Sequence, residues 1–118
     1  MNDSKEMARL AYDAMDDKLA KDITIIDISG VSVVADYFLI ADGKNRNQVQ
    51  AIANNVDEFL GKAGYHAKAT EGYSTANWIL MDYSDVIIHI FSTEDRAFYD
   101  LERIWKDGVE IKREDLDQ

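Results

Sequence analysis

The segment from Asn77 to Phe91 constrains the fold more than any other part of this chain of 118 residues. It contains two strand patterns, residues 78–81 and 86–91, separated by a short polar turn. Successive side chains of a strand point to opposite faces of its sheet, and in both patterns large apolar residues occupy both sets of positions. Both faces of the predicted sheet are therefore expected to be covered, and a binding partner could supply one of the covers.

Helix and strand patterns alternate along the rest of the chain, without a proline, a repeat or a linker. Ser4 is a good N-cap, and apolar residues follow at helical spacing as far as Leu19, which predicts a first helix. A second helix is predicted from Asn45, with an inner stripe from Val49 to Leu60. β-Branched or aromatic runs predict strands over residues 22–28, 37–41 and 65–70.

The C-terminal part carries one more helix pattern. Ser92 is a suitable N-cap for a third helix, whose apolar stripe is Phe98, Leu101, Ile104 and Trp105. The charged residues 106–118 are expected to be extended or frayed. The order αββαβββα follows, which predicts an α/β fold with a mixed sheet flanked by helices. We expect one domain over residues 1–107 and a charged tail over residues 108–118.

The charge balance bears on partners. Thirteen basic and 23 acidic residues give a formal net charge of −10, which repels nucleic-acid phosphates and attracts basic proteins, although such a charge often serves solubility alone. The absence of cysteine excludes disulfides, thiolate zinc sites and a cysteine nucleophile. No apolar run is long enough to span a bilayer, and the N-terminus resembles neither a signal nor a transit peptide, so we expect a cytoplasmic protein.

The residues that could carry chemistry have structural alternatives that are stronger. Asp82 and Asp85 could form a carboxylate pair, but they are three positions apart across a turn, where aspartate is common. His89 lies between two isoleucines, so a strand histidine with a satisfied hydrogen bond is favoured over a catalytic or metal-binding one. The turn at Gly43 precedes a helix, as in many anion sites, yet it lacks the glycine spacing of a phosphate loop.

The aromatic residues indicate binding instead. Trp78 and Tyr83 fall on or beside the predicted sheet, and Trp and Tyr often contribute most of the affinity at protein interfaces. Trp78 shares a strand face with Leu80 and Asp82, a mixture of apolar and acidic character that suits a basic, partly apolar partner. Packing of Trp78 in the core is an equally good interpretation of the pattern.

Several linked motifs resemble the ribosomal silencing factor family, also called RsfS or Iojap. They are Asp36-Tyr-Phe-Leu-Ile-Ala-Asp-Gly43, Arg46-x-Gln-Val-x-Ala-Ile-Ala53, Glu71-Gly72, Trp78-Ile-Leu-Met-Asp-Tyr-x-Asp-Val-Ile-Ile-His-Ile-Phe91 and Arg96-x-x-Tyr-x-Leu-Glu-x-x-Trp105. They occur in order over residues 5–107. The chain departs from the family at Ser84, where glycine is usual, at Ala35, where serine is frequent, and at Asn77, where an acid is common.

The resemblance implies a nucleotidyltransferase-like fold without catalytic acids and a non-enzymatic regulator without a cofactor. It implies binding to ribosomal protein L fourteen of the large subunit, which blocks joining of the small subunit and lowers translation under starvation, and it implies possible homodimers. The residues that match the family's binding motifs are the apolar anchors Trp78, Leu80 and Tyr83, the acids Glu71, Asp82 and Asp85, and His89. The alternative is a nucleotide-using transferase, with phosphate at the Gly43 turn and Mg²⁺ at Asp82 and Asp85.

Overall fold

The computed structural model describes residues 3–99 and 107–117 of the chain. The helices are α1 (Asp3–Asp17), α2 (Arg46–Lys62), α3 (Thr93–Tyr99) and a final 3-10 helix (Arg113–Asp117). The strands are β1 (Lys21–Asp27), β2 (Tyr37–Gly43), β3 (Ala69–Glu71), β4 (Trp78–Asp82), β5 (Val86–Ser92) and β6 (Val109–Ile111).

The strands form one six-stranded sheet in the order β3-β4-β5-β2-β1-β6. β2 and β5 are parallel, and the other neighbouring pairs are antiparallel. The predicted mixed sheet flanked by helices is confirmed. The strand predicted over residues 65–70 is shorter than expected and shifted, since only Ala69–Glu71 pairs, and it does so at the sheet edge beside β4.

Helices α1 and α2 cover one face of the sheet. Their apolar side chains, such as Ala11, Met15 and Ile52, are fully buried against the strands. α2 begins where it was predicted, and Asn45 is its N-cap, because the Asn45 side chain accepts a hydrogen bond from the Gln48 N–H. Leu19 does not belong to the stripe of α1, where the sequence placed it.

Leu19 lies just beyond the end of α1, with φ 61° and 77% of its surface exposed. The Ala20 N–H donates to the Met15 carbonyl and the Leu19 N–H to the Asp16 carbonyl, at 3.0 Å each. This pattern is the Schellman motif, in which a left-handed residue ends a helix and usually is glycine. The helical spacing of Leu19 was misleading because the helix had already ended at Asp17.

Residues 107–117 are folded against the domain, so the expectation of an extended or frayed tail is wrong. β6 pairs with β1 at the sheet edge, and Leu116 in the 3-10 helix is 3% exposed. Arg113 donates from Nε and Nη2 to the carboxylate of Asp13 in α1, at 3.0 and 2.9 Å. A strand of three residues and a single buried leucine do not form a periodic sequence pattern. Both are held by contacts with segments that are distant in the sequence.

Helix α3 begins where the sequence predicted, since the Asp95 N–H donates to Ser92 Oγ at 3.2 Å. Leu101, Ile104 and Trp105 of its predicted stripe lie outside the described residues, as does the side chain of Phe98. The first turn of α3 is joined to the sheet by a buried ion pair. Arg96 Nη1 lies 2.9 Å from Asp42 Oδ1, and Thr93 Oγ1 donates to Asp42 Oδ2 at 2.7 Å.

The face of the sheet opposite α1 and α2 carries a second apolar cluster. Its buried members are Ile26, Ile28, Ala35, Phe38, Ile40, Ile87 and Phe91. Trp78 and Leu80 pack against this cluster but remain partly exposed. The strand patterns with apolar residues at both sets of positions therefore correspond to two separate apolar layers, one on each face.

Candidate docking surface

Trp78 and Leu80 occupy one face of β4, and that face is only partly covered. Burial alternates along the strand, so that both residues are partly exposed while Ile79 and Met81 are 0% and 2% exposed. Beyond β4 the sheet has only the short edge strand β3, whose residues are all exposed. Trp78 and Leu80 line an open groove of about 250 Å³ with Glu71 and Gly72. We call Glu71, Trp78 and Leu80 the docking surface.

The indole of Trp78 is fixed by two contacts below it. It stacks on Phe91, its partner across the strands, with ring centroids 5.1 Å apart and planes inclined by 25°. Its Nε1–H donates to His89 Nδ1 at 3.0 Å. An aromatic ring that is already oriented loses little conformational freedom when a partner covers it. The arrangement therefore suits binding.

His89 supports this indole from a dry environment. It is 4% exposed, and burial lowers its pKa from 6.5 to about 4. The imidazole is therefore neutral at neutral pH, with Nδ1 free to accept from Trp78 and the hydrogen on Nε2. No described residue accepts from Nε2. The predicted strand histidine with a hydrogen bond is confirmed at Nδ1, and the bond joins it to Trp78 on the partly covered face.

Gly72 allows the loop between β3 and β4 to pass close to the backbone of Trp78. Its φ is +80°, and a Cβ at this position would lie 2.1 Å from the Trp78 carbonyl oxygen. Only glycine fits there without displacing the backbone. The motif Glu71-Gly72 by itself assigned no role to this glycine. The signal was its position after Glu71 at the start of a loop, which indicates a left-handed turn residue.

The three predicted acids border this region but do not converge. Glu71 is exposed on β3 directly opposite Leu80, and Asp82 is partly exposed on the same face of β4. Asp82 Oδ1 accepts from the Ser84 N–H at 2.8 Å, which is the turn role that the spacing favoured. Asp85 is exposed in the same turn. Among the described residues, no group of three His, Asp or Glu side chains could hold a metal ion.

Tyr83 lies apart from the docking surface. It is 5% exposed and belongs to the apolar cluster on the side of α1 and α2. Burial, with the negative charge of Asp57 adding to it, raises the pKa of Tyr83 to about 12. The expectation that Tyr83 is an anchor beside Trp78 and Leu80 does not fit this placement. In a strand, a residue one position beyond Asp82 turns to the opposite face.

The turn at Gly43 uses its own polar groups to begin α2. Asn45 Oδ1 accepts from the Gln48 N–H at 2.8 Å, and Gln48 Oε1 accepts from the Lys44 N–H at 2.7 Å. These reciprocal bonds resemble a capping box. They occupy N–H groups that a bound phosphate would need, which weakens the case for a nucleotide at this helix N-terminus.

Comparison with known proteins identifies relatives over almost the whole chain. The family described as "Ribosomal silencing factor during starvation" matches residues 1–118. "Ribosomal silencing factor RsfS" of Bacillus subtilis is 42% identical over 104 residues, covering 88% of each chain. The protein of the same name from Halalkalibacterium halodurans is 39% identical over 111 residues, covering 94% of this chain and 95% of the relative.

A solved structure gives the same result for the fold. The crystal structure of a protein from Chromobacterium violaceum superposes with a TM-score of 0.86 at 33% identity, covering 90% of this chain and 88% of that one. Within the described residues, no helix is both long and apolar enough to cross a membrane.

Proposed function

This chain belongs to the ribosomal silencing factor family, and from that premise we propose that it represses translation by binding ribosomal protein L fourteen of the large subunit. The bound domain would then block joining of the small subunit. In this proposal the protein acts in the cytoplasm by occupying a surface, without catalysing a reaction and without a cofactor. The trigger would be nutrient limitation, as the family description names starvation.

The docking surface is the observation that carries this proposal. A half-buried tryptophan that is oriented by His89 and Phe91 is typical of the residues that contribute most at interfaces. The exposed carboxylate of Glu71 beside it, in a chain of net charge −10, complements a basic ribosomal protein. Apolar contact would supply most of the affinity, and the charges would raise the association rate and exclude acidic partners.

The dimensions of the domain are consistent with steric blocking. Its principal extents are 35 × 32 × 24 Å. Two subunits can join only where their surfaces approach to within van der Waals distance, about 4 Å. A folded body of this size, bound at a surface that must meet the other subunit, would keep the two apart without any change in either.

The main test is binding to isolated large subunits, measured by co-sedimentation over a range of concentrations. Trp78→Ala should weaken binding by about 2 kcal/mol or more, close to thirtyfold, because it removes an aromatic anchor. Wild-type affinity in Trp78→Ala, with the fold verified by circular dichroism, would contradict the proposed surface.

A pair of charge reversals separates local from global electrostatics. Glu71→Lys and Glu110→Lys change the net charge equally, and both residues are exposed. Their strands, β3 and β6, form the opposite edges of the sheet, roughly 24 Å apart at the usual strand spacing. Glu71→Lys should weaken binding at low salt, and Glu110→Lys should not. Equal effects would indicate that only the overall charge matters.

The competing enzyme hypothesis predicts a different ligand. A nucleotide with Mg²⁺ should then raise the melting temperature, and Asp82→Asn with Asp85→Asn should abolish that rise. We expect no rise, because the Lys44 and Gln48 N–H groups beside the Gly43 turn already donate to side chains of the same segment. A rise lost in the double variant, together with unimpaired large-subunit binding by Trp78→Ala, would favour the enzyme.

We also propose that the open groove beside Trp78 and Leu80 allows self-association when no ribosome is present. Light scattering at micromolar concentrations should then show a dimer that Leu80→Asp dissociates. A monomeric mass throughout that range would refute this proposal and leave ribosome binding unaffected.

A further inference from the structure

The connection between β1 and β2 exposes an unusual amount of apolar surface. Val31, Val33 and Val34 are 51%, 105% and 71% exposed. They account for half of the exposed large apolar residues among the described residues, the others being Leu19, Tyr73 and Val109. Isolated exposed apolar residues are common, but three within four positions are typical of a contact region.

The backbone of this connection is held in place. The Ile28 N–H donates to the Asp36 carbonyl at 2.8 Å, which closes the base of the loop. The Val31 and Ser32 N–H groups both donate to the Ile28 carbonyl, at 3.0 and 2.8 Å, and the Val34 N–H donates to Ser32 Oγ at 3.0 Å. The valines are therefore presented on a formed turn, which lowers the entropic cost of binding.

The base of the loop belongs to the same side of the sheet as the docking surface. Ile28 and Ala35 are buried in the apolar cluster against which Trp78 and Leu80 pack. The Asp36 N–H donates to the Asp85 carbonyl at 2.7 Å, so the loop adjoins the turn between β4 and β5. A partner seated on the docking surface and extending along β4 would reach the valines.

The charged residues of the loop and of the neighbouring turn are all acidic. Asp27 and Asp36 flank it, Asp82 and Asp85 lie in the neighbouring turn, and neither residues 27–36 nor residues 82–86 contain lysine or arginine. Burial, reinforced by the negative charges of Asp27 and Asp36, raises the pKa of Tyr37. Apolar side chains in an acidic surround fit a segment that is basic and partly apolar, and they disfavour nucleic acid.

We propose that residues 28–36 form a second contact region for the large-subunit protein that the docking surface binds, in which Val33 and Val34 cover apolar side chains of a basic segment. This rests on the function proposed above and extends its binding site from β4 to the far end of β1. The interface would then have two apolar contacts, at Trp78 with Leu80 and at the valine loop, with aspartates between them.

The test is the double variant Val33→Ser/Val34→Ser in the full chain, with binding to isolated large subunits as the readout. Affinity should fall about tenfold or more. The melting temperature should stay at the wild-type value because both side chains are exposed. Leu19→Ser is the matched control, since Leu19 is 77% exposed and precedes the opposite end of β1. It should bind as the wild type does.

The other possible results distinguish failure of the second contact region from failure of the proposed function. Wild-type affinity in the valine variant, with loss in Trp78→Ala, overturns the second contact region and leaves the proposed function standing. A wild-type chain that does not bind large subunits overturns both. If the valine variant binds subunits normally and only loses self-association in light scattering, the loop contacts a second copy of the chain and the inference is wrong.

Discussion

The two faces of β4 contain similar residues in different environments. Ile79 and Met81 are enclosed beneath the helices, whereas Trp78 and Leu80 remain partly exposed above the second apolar cluster. All of them are large and apolar, so hydrophobicity does not distinguish the faces. One apolar layer is therefore completed by the chain itself, whereas the other stays partly open.

The largest expected effect compares two neighbouring residues on the two faces. Ile79→Ala should lower the free energy of unfolding by about 3 kcal/mol, because it leaves a cavity in the enclosed layer. Leu80→Ala should cost about 1 kcal/mol, because its side chain is already partly exposed to water. Urea denaturation measures both.

Binding to large subunits should show the reverse order, with Leu80→Ala the weaker binder at a temperature where both variants are folded. Equal losses of stability would mean that the second face is as fully covered as the first, and the distinction between the faces would not hold.

The second prediction concerns whether water reaches the imidazole of His89, which lies beneath Trp78 on the partly open face. The His89 pKa is 6.5 when unfolded and about 4 when folded, so only the unfolded chain takes up this proton between those values. The contribution of His89 is therefore fully favourable above pH 6.5 and is lost as the pH falls to 4, by on the order of 3 kcal/mol.

His89→Gln keeps an oxygen that can accept from the Trp78 Nε1–H and removes this titration. Its stability should fall less steeply with acid than that of the wild type. His66→Gln, at an exposed position, should retain the steep decline. Parallel curves for the wild type and His89→Gln would show that water reaches the imidazole.

The smallest expected effect lies in the turn that joins β4 to β5. Ser84 has φ 72°, a conformation that costs a residue with a Cβ about 1 kcal/mol. Ser84→Gly should raise the free energy of unfolding by about 0.5 kcal/mol, since the greater freedom of unfolded glycine offsets part of the gain. Thermal denaturation measures the change, and large-subunit binding should stay constant.

Gly64→Ala is the converse control. Its φ is +92° with no atom within 4 Å of the added Cβ, so it should lose a similar amount of stability through backbone strain alone. A gain in ribosome binding by Ser84→Gly would show that stability and affinity are coupled across the two faces, and the distinction between the faces would not hold.

Several features of the fold followed from local patterns. The start of α2 near Asn45, the turn role of Asp82 and the strand character of residues 86–91 depend on neighbours within a few positions, and the structure has each of them. The C-terminal residues could not be predicted in this way. Their strand pairs with β1, and Arg113 meets Asp13 across 100 positions of the chain.

The candidate site was predictable in its residues more than in its geometry. The sequence singled out Trp78, Leu80, Glu71 and His89, and the structure brings these together on one face. It also grouped Tyr83 with them, although one position along a strand reverses the face. Glycine is required at position 72 because a Cβ there would collide with the Trp78 carbonyl oxygen, and the sequence alone does not show this contact.

The sequence alone determined the alternation of helices and strands, the acidic charge, the family motifs and the fact that β4 and β5 are apolar on both faces. The tertiary structure was needed to show which face of the sheet the helices cover and at which residues that cover ends. A period of two residues shows which side chains share a face, but it carries no information about what lies against that face. What lies against a face depends on contacts between distant segments. Here those contacts enclose Ile79 and leave Trp78 partly exposed over His89.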